Sequence, residues 1–530
     1  MDKNRTPPRA TARTWAGLAV LLVPALLVAM DLSVLFVAAP AIAQDLQPTA
    51  TQWLWMMDVY GFVLAGLLVT MGSLGDRVGR RKLLLAGALL FGAASALLAF
   101  APNSELFIAG RALLGLAGAT LAPSTLSLIR SMFTDSKQRA TAVGAWTIAF
   151  TGGAVAGPIF GGVLLEFFSW GSVFLINLPF MALLLVSAPF LVPETRDPRG
   201  ARFDLPGAVL SLMAVLGLVY AAKRFVEHGV EVQGGAALVL GSAFLVLFVM
   251  RQRRAAHPLI DVTLFARPAF SAAVGGNAAV SFAAAGMGLL TFTFLQSVHG
   301  LSPLSAALWA LPTFATTALG AVLGSVVAPR VRPAPLMATG LAVGALGFAM
   351  IALVDPETPL PLFIGAYGLI SMGAGVVGTL ANTLVLATAP PERAGAAAGV
   401  SETSAEFGAA LSIAALGTVA TGIYRSEMSG TQGPAGETVT GAIAGASHLP
   451  EAEAGALLAE AFDAYTKGLN AAALTGAVVL AVLAVAVLGA LRRIPAGVAG
   501  PEEQEHREHE EHREDREDRE PGPESTRAGF

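Results

Sequence analysis

The sequence predicts an all-α, polytopic membrane protein, and three observations lead there. Of 530 residues, 55% are hydrophobic and only 13% are charged, about half the charged share of an ordinary soluble domain. The mean hydropathy is +0.66. Apolar stretches close to the roughly 20 residues that cross a bilayer recur along most of the chain. So little charge cannot cover a soluble surface, which excludes a soluble enzyme, a nucleic-acid binder and a disordered scaffold. The 58 glycines and 31 prolines fit this class, because both are frequent in membrane helices. The absence of cysteine excludes a disulfide framework, a thiolate metal site and a cysteine nucleophile.

Fourteen stretches qualify as spanning helices. They lie near 15–42, 52–73, 83–101, 105–130, 139–165, 170–192, 205–222, 235–250, 269–296, 304–328, 334–354, 359–388, 395–421 and 468–491. The stretch at 235–250 is short and is expected to extend into its flanks. The first stretch contains Asp31 and is too long for the apolar region of a signal peptide, so Ala41-Ile42-Ala43 is read as helix rather than as a cleavage site.

The distribution of basic residues orients these helices with both termini in the cytoplasm. Lys3, Arg5, Arg9 and Arg13 precede the first span, and Arg77, Arg80, Arg81 and Lys82 lie between the second and third. Alternate loops go on to carry Arg130, Lys137 and Arg139, then Arg196, Arg199 and Arg202, then Arg251, Arg253, Arg254 and Arg267, with Arg330, Arg332, Arg393, Arg492 and Arg493 after them. The opposite loops hold Lys223, Arg224, Arg425 and Lys467. Five segments are expected: a cytoplasmic N-terminus at 1–14, a helical bundle at 15–192, a linker with two helices at 193–268, a second bundle at 269–491, and a charged tail at 492–530. The loop at 422–467 is rich in Gly and Thr and then reads LPEAEAGALLAEAFDAY, an amphipathic pattern expected to lie at the membrane surface or form a small cap.

The tail from Glu502 onward holds twelve acids against five arginines, so the rest of the chain is net positive although the whole is −4. Its plain reading is a solubilising cytoplasmic tail. The repeated His506, His509 and His512 have metal-ligand chemistry but no other support.

Charges inside a membrane are costly and are candidates for function. Asp31 sits mid-span in LLVAMDLSVLFVAAP, Asp58 in WLWMMDVYGFVLAG, Arg111 in FIAGRALLGLAGA, and Glu402 and Glu406 in AGVSETSAEFGAALSIA. Glu402 and Glu406 are i, i+4 and share a helix face. No histidine falls well inside a span, so no metal pattern accompanies them. A carboxyl group in an apolar cavity can hold a proton or exchange it for a cation, as a proton-coupled carrier of cationic cargo requires. Each group also has an ordinary reading. Asp58 could be solvated near the outer interface, Glu402 could favour its helix start, and Arg111 could serve backbone carbonyls rather than relay protons. Trp55, Tyr60, Phe62, Phe282 and Phe407 are candidate aromatic contacts for a quaternary ammonium, against a lipid-facing or interfacial alternative.

Residues 72–82 read GSLGDRVGRRK. This run, with Gly72, Gly75, Asp76, Arg77, Gly79 and Arg80, resembles the loop signature of the major facilitator superfamily. Gly153-x-x-x-Gly157-Pro158-x-x-Gly161-Gly162 resembles the antiporter motif of its exporters, and Arg111 with Gly115 and Gly118 resembles the signature of the fourth helix. WGSVFLINLP at 170–179 is similar to the fourteen-helix drug:proton antiporter branch, with Gly171 in place of its usual Arg. With Asp31 and ETSAEFG, the chain is similar to the QacA/SmvA-like quaternary-ammonium multidrug exporters over about 15–495.

The resemblance implies two six-helix bundles plus two central extra helices, and proton-driven export of lipophilic cations by alternating access. It implies a monomer in the bacterial inner or cytoplasmic membrane, with no cofactor beyond the proton gradient. Asp31 would couple protons and meet the cargo charge. Asp58 would be the acid of the second helix, and Glu402 and Glu406 the pair of the thirteenth. Asp76 and Arg80 would lock the cytoplasmic side. The second copy of the loop signature, near GSVVAPRVRPAPLM, has lost its Asp, and 304–328 lacks the acid that some relatives carry there. A narrower exporter of an uncharged or anionic antibiotic or metabolite is the main alternative. It would want basic cavity residues, and only Arg111 is available.

Overall fold

The computed structural model describes residues 10–196, 204–228, 231–255, 262–388, 394–492 and 494. The side chains of Asp76 and Glu402 lie outside the described residues, as do the linker around 197–203 and the tail with His506, His509 and His512. Among the described residues the protein is helical throughout. The first seven helices are α1 (Ala12–Leu46), α2 (Ala50–Val78), α3 (Arg80–Ala99), α4 (Ser104–Met132), α5 (Ser136–Phe167), the single turn α6 (Ser172–Leu175) and α7 (Asn177–Leu191). Then come α8 (Leu205–His228) and α9 (Val232–Arg254). The last eight are α10 (Pro268–Thr293), α11 (Pro303–Val327), α12 (Pro333–Ile351), α13 (Leu360–Thr388), α14 (Ala394–Glu427), α15 (Pro434–Glu437), α16 (Val439–Ala446) and α17 (Glu451–Leu491).

Every apolar stretch expected from the sequence coincides with a helix, and 235–250 extends in both directions to become α9. Twelve helices among the described residues are long and apolar enough to cross a membrane; α2 and α8 contribute shorter apolar parts, Gln52–Leu68 and Leu205–Leu218. Polar caps set several starts. The Thr49 hydroxyl accepts the Gln52 N–H while the Gln52 side chain takes the Thr49 N–H, and the Asn103 and Asp135 side chains accept the N–H groups of Leu106 and Gln138.

The 422–467 segment differs from the expected surface helix. α14 runs on to Glu427, α15 and α16 follow, and the amphipathic stretch is the first part of α17. No Pro separates its polar beginning from the apolar run that follows, and Gly468 at the junction stays helical where it backs onto Ala420 of α14. At 1.5 Å per residue its 41 residues span about 60 Å, well beyond the ~30 Å hydrocarbon layer. The turns carrying Glu451 and Glu453 therefore reach past that layer. α16 packs on both α1 and α17.

Helices α1–α7 pack mainly on one another, as do α10–α17, and each set encloses its own apolar core. Lipid is as apolar as leucine, so close backbone approach drives packing in a membrane. α5 shows this against α1. A Cβ at Gly153 would strike the Leu26 carbonyl oxygen, one at Gly157 the Ser33 hydroxyl, and one at Gly161 the Val34 side chain, 2.5 Å away. The spacing i, i+4, i+8 keeps all three on one face.

The 72–82 run forms the end of α2 and the start of α3. Gly79 adopts φ +117°, and a Cβ there would lie 2.8 Å from Glu194 Oε1. The Arg81 backbone N–H donates to Glu194 Oε1 at 3.0 Å, and the Arg80 N–H to the Thr195 carbonyl at 3.0 Å. The Arg81 guanidinium also caps α7, donating to the carbonyls of Pro189 at 3.1 Å and Val192 at 3.0 Å. The run therefore ties the α2–α3 turn to the chain leaving α7.

Gly157→Val is expected to destabilise the purified protein by about 1–3 kcal/mol through overpacking. Gly275→Ala, at a position where a Cβ meets nothing within 4 Å, should be neutral or gain up to about 1 kcal/mol of helix propensity. Thermal unfolding in detergent reads both; equal shifts would contradict the close-approach account.

Candidate transport cavity

A cavity of about 440 Å³ lies between the two sets of helices, within the size range of drug-sized sites. Its wall is mostly apolar and aromatic. α1 contributes Leu32 and Phe36, α2 Met57 and Tyr60, α5 Phe150, Ala154 and Pro158, α10 Ala284 and Ala285, α11 Phe314, and α13 Tyr367. Asn277 and Asn382 add amides; Asn277 Nδ2 donates to Ser401 Oγ at 2.9 Å. Among the described residues, the charged side chains that line it are Asp58, Arg111 and Glu406.

The three come from separate helices. Asp58 (α2) is 1% exposed and Glu406 (α14) 9%, so each set of helices supplies one cavity acid. Arg111 (α4) is 1% exposed and has its partner behind the wall. Its Nη1 donates to Asp31 Oδ2 at 3.1 Å, and its Nε to the Met56 carbonyl at 3.4 Å. The guanidinium carbon lies 4.5 Å from the centre of the Tyr60 ring. Arg111 thus bonds both a backbone carbonyl and a buried carboxylate. Asp31 (α1) is not among the lining residues: its Oδ1 accepts from Asn177 Nδ2 at 3.5 Å, and the same amide donates to Ser95 Oγ at 3.1 Å.

The arrangement has a simple charge balance. The positive charge on the wall is met by Asp31 at ion-pair distance. Asp58 also acts electrostatically on Arg111, and with Glu406 it brings to three the carboxyl groups that meet one guanidinium in and behind the described wall. The site can hold a flat or greasy cation against aromatic faces, and each acid can take up a proton instead.

Several candidates read from the sequence are placed elsewhere. Phe62 is buried with Ala414 where Trp55, Val215 and Leu216 close around it, and the Trp55 ring lies 6.4 Å from that of Tyr220 on α8. Both point away from the cavity because α2 presents 57, 58, 60 and 61 to it and the face with 55 and 62 to α8. Phe282 is turned into the core of the second set, where its carbonyl accepts from the Ser412 hydroxyl, and Phe407 is not a lining residue. Of the motif positions, Gly153, Gly157 and Gly161 face α1, Gly162 faces Leu304 of α11, and Pro158 alone lines the cavity. Gly72 approaches Pro123 of α4, Gly75 is buried beside Leu83, and Arg77 is exposed.

Sequence reasoning missed Phe36, Phe150, Phe314 and Tyr367 as lining residues, and Asn177 and Glu194 as anchors. The asparagines had a usable signal: an amide inside an apolar span needs a partner. The phenylalanines had none, since 28 are spread along the chain.

The family profile of the Major Facilitator Superfamily matches residues 21–413. The multidrug efflux pump LfrA of Mycolicibacterium smegmatis is 43% identical over 90% of this chain and 95% of its own length. The methyl viologen resistance protein SmvA of Salmonella typhimurium is 34% identical over 80% and 85% respectively. A crystal structure of a bacterial homologue of the human lysosomal transporter Spinster, inward-facing and unoccupied, superposes with a TM-score of 0.63 at 18% identity. It covers 91% of this chain and 98% of that one, and it supports the fold alone. The chain therefore belongs to the Major Facilitator Superfamily, as a multi-pass secondary transporter of the bacterial inner membrane among its multidrug exporters.

Proposed function

We propose that the chain exports lipophilic cations, such as quaternary ammonium compounds and cationic dyes, in exchange for protons. The observation that carries this reading is the charge balance of the cavity. Arg111 is matched by Asp31, while Asp58 and Glu406 line an aromatic enclosure from opposite sides. An anionic cargo would need a basic wall, and among the described residues the one basic lining residue, Arg111, lies at ion-pair distance from Asp31. The name of one relative, a methyl viologen resistance protein, points to the same cargo chemistry.

The proposed topology has fourteen crossings with both termini cytoplasmic, from the basic loops. It groups α1–α7 and α10–α17 as two rocking bundles and α8–α9 as the extra pair. With that orientation, the two sets meet at their outer ends. Gly162 abuts Leu304, Leu54 lies against Gly417, and Gln296 Nε2 donates to the Val37 carbonyl at 3.0 Å. This is the cytoplasm-facing arrangement. A cation enters and is held by the carboxylates of Asp58 and Glu406. The bundles rock about the site, and protons from outside then neutralise the acids and release the cargo. Asp31 keeps Arg111 compensated and in place throughout binding, so it acts on cargo through Arg111. The cycle needs no cofactor and a single copy of the chain.

Ethidium efflux from a pump-deleted bacterium tests the reading. Wild type should extrude the dye, and a protonophore should stop it. Glu406→Gln and Asp58→Asn should each slow efflux about tenfold or more, which corresponds to ~1.4 kcal/mol. Normal efflux by a Glu406→Gln/Asp58→Asn protein would contradict the assignment.

Asp31 and Arg111 are expected to behave as a pair. Asp31→Asn alone leaves a buried guanidinium without its counter-charge, at a cost of about 3–5 kcal/mol, whereas Asp31→Asn/Arg111→Met removes both charges and should regain much of that stability. Thermal unfolding of the two variants checks this; an equal loss in both would contradict the pairing.

A further inference from the structure

α10 and α14 lie side by side, run in the same direction and keep one register. The Ser404 hydroxyl donates to the Val274 carbonyl at 3.2 Å, and the Ser412 hydroxyl donates to the Phe282 carbonyl. Between these two bonds, a Cβ at Gly408 would strike the Ala278 carbonyl oxygen. The partners are 130 residues apart in each case. By that offset Asn277 of α10 stands level with Phe407 of α14, one residue's rise, about 1.5 Å, from the level of Glu406. Both Asn277 and Glu406 line the cavity. Asn277 shares its face with Ser281 and Ala284, and Glu406 with Ala409 and Ile413, as helical spacing requires.

The Asn277 amide is held in one orientation. Its Nδ2 donates to the Ser401 carbonyl at 3.1 Å and to Ser401 Oγ at 2.9 Å. A backbone carbonyl only accepts, so the nitrogen must face α14 and the amide cannot be turned over. Ser401 is a firm anchor, because it is buried and its carbonyl also accepts from the Ser404 hydroxyl at 2.7 Å. Asn277 Oδ1 is the atom left for the cavity, and among the described residues it accepts no hydrogen bond. An amide oxygen has two lone pairs and no hydrogen. It can take an N–H from a cargo and offers nothing to a fully methylated nitrogen.

We propose that Asn277 is a specificity-determining residue of the export site: its Oδ1, level with Glu406 on the neighbouring helix, accepts an N–H of the cargo. This deepens the export reading and rests on it. A protonated amine, an amidinium or a ring cation bearing N–H is met twice, by charge at Glu406 and by a hydrogen bond at Asn277. A quaternary cation is met by charge alone, and it covers the amide oxygen without replacing the water it displaces. Leaving a buried acceptor unpaired is costly. The cavity therefore favours a cation with an N–H over its N-methylated form.

Acridine orange and its ring-N-methyl derivative form a matched pair of probes. Both are flat cations at neutral pH, and one ring nitrogen bears hydrogen in the first and methyl in the second. Fluorescence polarisation with the purified full chain in detergent gives a Kd for each dye. The wild type should bind acridine orange about tenfold more tightly than the methylated dye, the worth of one hydrogen bond to a charged group. Asn277→Leu keeps the approximate shape without the acceptor and should bring the two dyes to similar affinity, chiefly by weakening acridine orange. Asn277→Ala should do the same, so a leucine variant that fails to fold leaves the test in place. Equal affinity of the wild type for both dyes, a preference unchanged in the variants, or an equal loss for both dyes would overturn the role of Asn277 and leave the export reading standing. Binding of neither dye by the wild type would overturn the export reading, and this assignment with it.

Discussion

The ion pair between Arg111 and Asp31 sets the character of the cavity. An unpaired guanidinium at that depth would be costly, and it would give the wall a positive patch. Asp31 at 3.1 Å removes both problems, and Asn177 holds the second Asp31 oxygen from a third helix. In the proposed reading, Asp58 and Glu406 are the cavity groups that meet the cargo. The two acids come from opposite bundles, so under the proposed exchange a proton would act on both halves of the molecule.

Close backbone packing supplies the frame for this site. Three glycines of α5 let that helix lie against α1, which carries Asp31, so the packing that builds the first bundle also positions the ion pair. Gly162, one residue beyond the last of them, faces the other bundle instead. α5 therefore belongs rigidly to one bundle on one face and touches its partner on another. That combination suits a helix at a rocking interface, where one contact must hold and the other must part.

The membrane crossings were legible because lipid forces each spanning segment to satisfy its own backbone, leaving long apolar runs bounded by charge. The course of 422–467 was harder. Its amphipathic half reads as a separate surface helix, and only tertiary structure shows that it continues unbroken into the last apolar run. In the site, the acids and Arg111 were legible as costly intramembrane charges. The pairing of Asp31 with Arg111 was not, since the two are 80 residues apart and nothing local links them. Tyr60 was picked from the right helix, but Phe62 two positions on faces α8. Helices that are apolar all round carry no pattern telling a cavity face from a lipid face, so Phe150 and Phe314 had no distinguishing mark beside Phe282 or Phe407.

The central claim is that cargo cations and protons compete for Asp58 and Glu406. The most direct measurement is proton release from purified protein in weakly buffered detergent solution when tetraphenylphosphonium is added at a pH where the acids hold protons. The account predicts release on binding by the wild type and none by Glu406→Gln/Asp58→Asn. Cation binding to the wild type without proton release, or release that persists in the double variant, would contradict it.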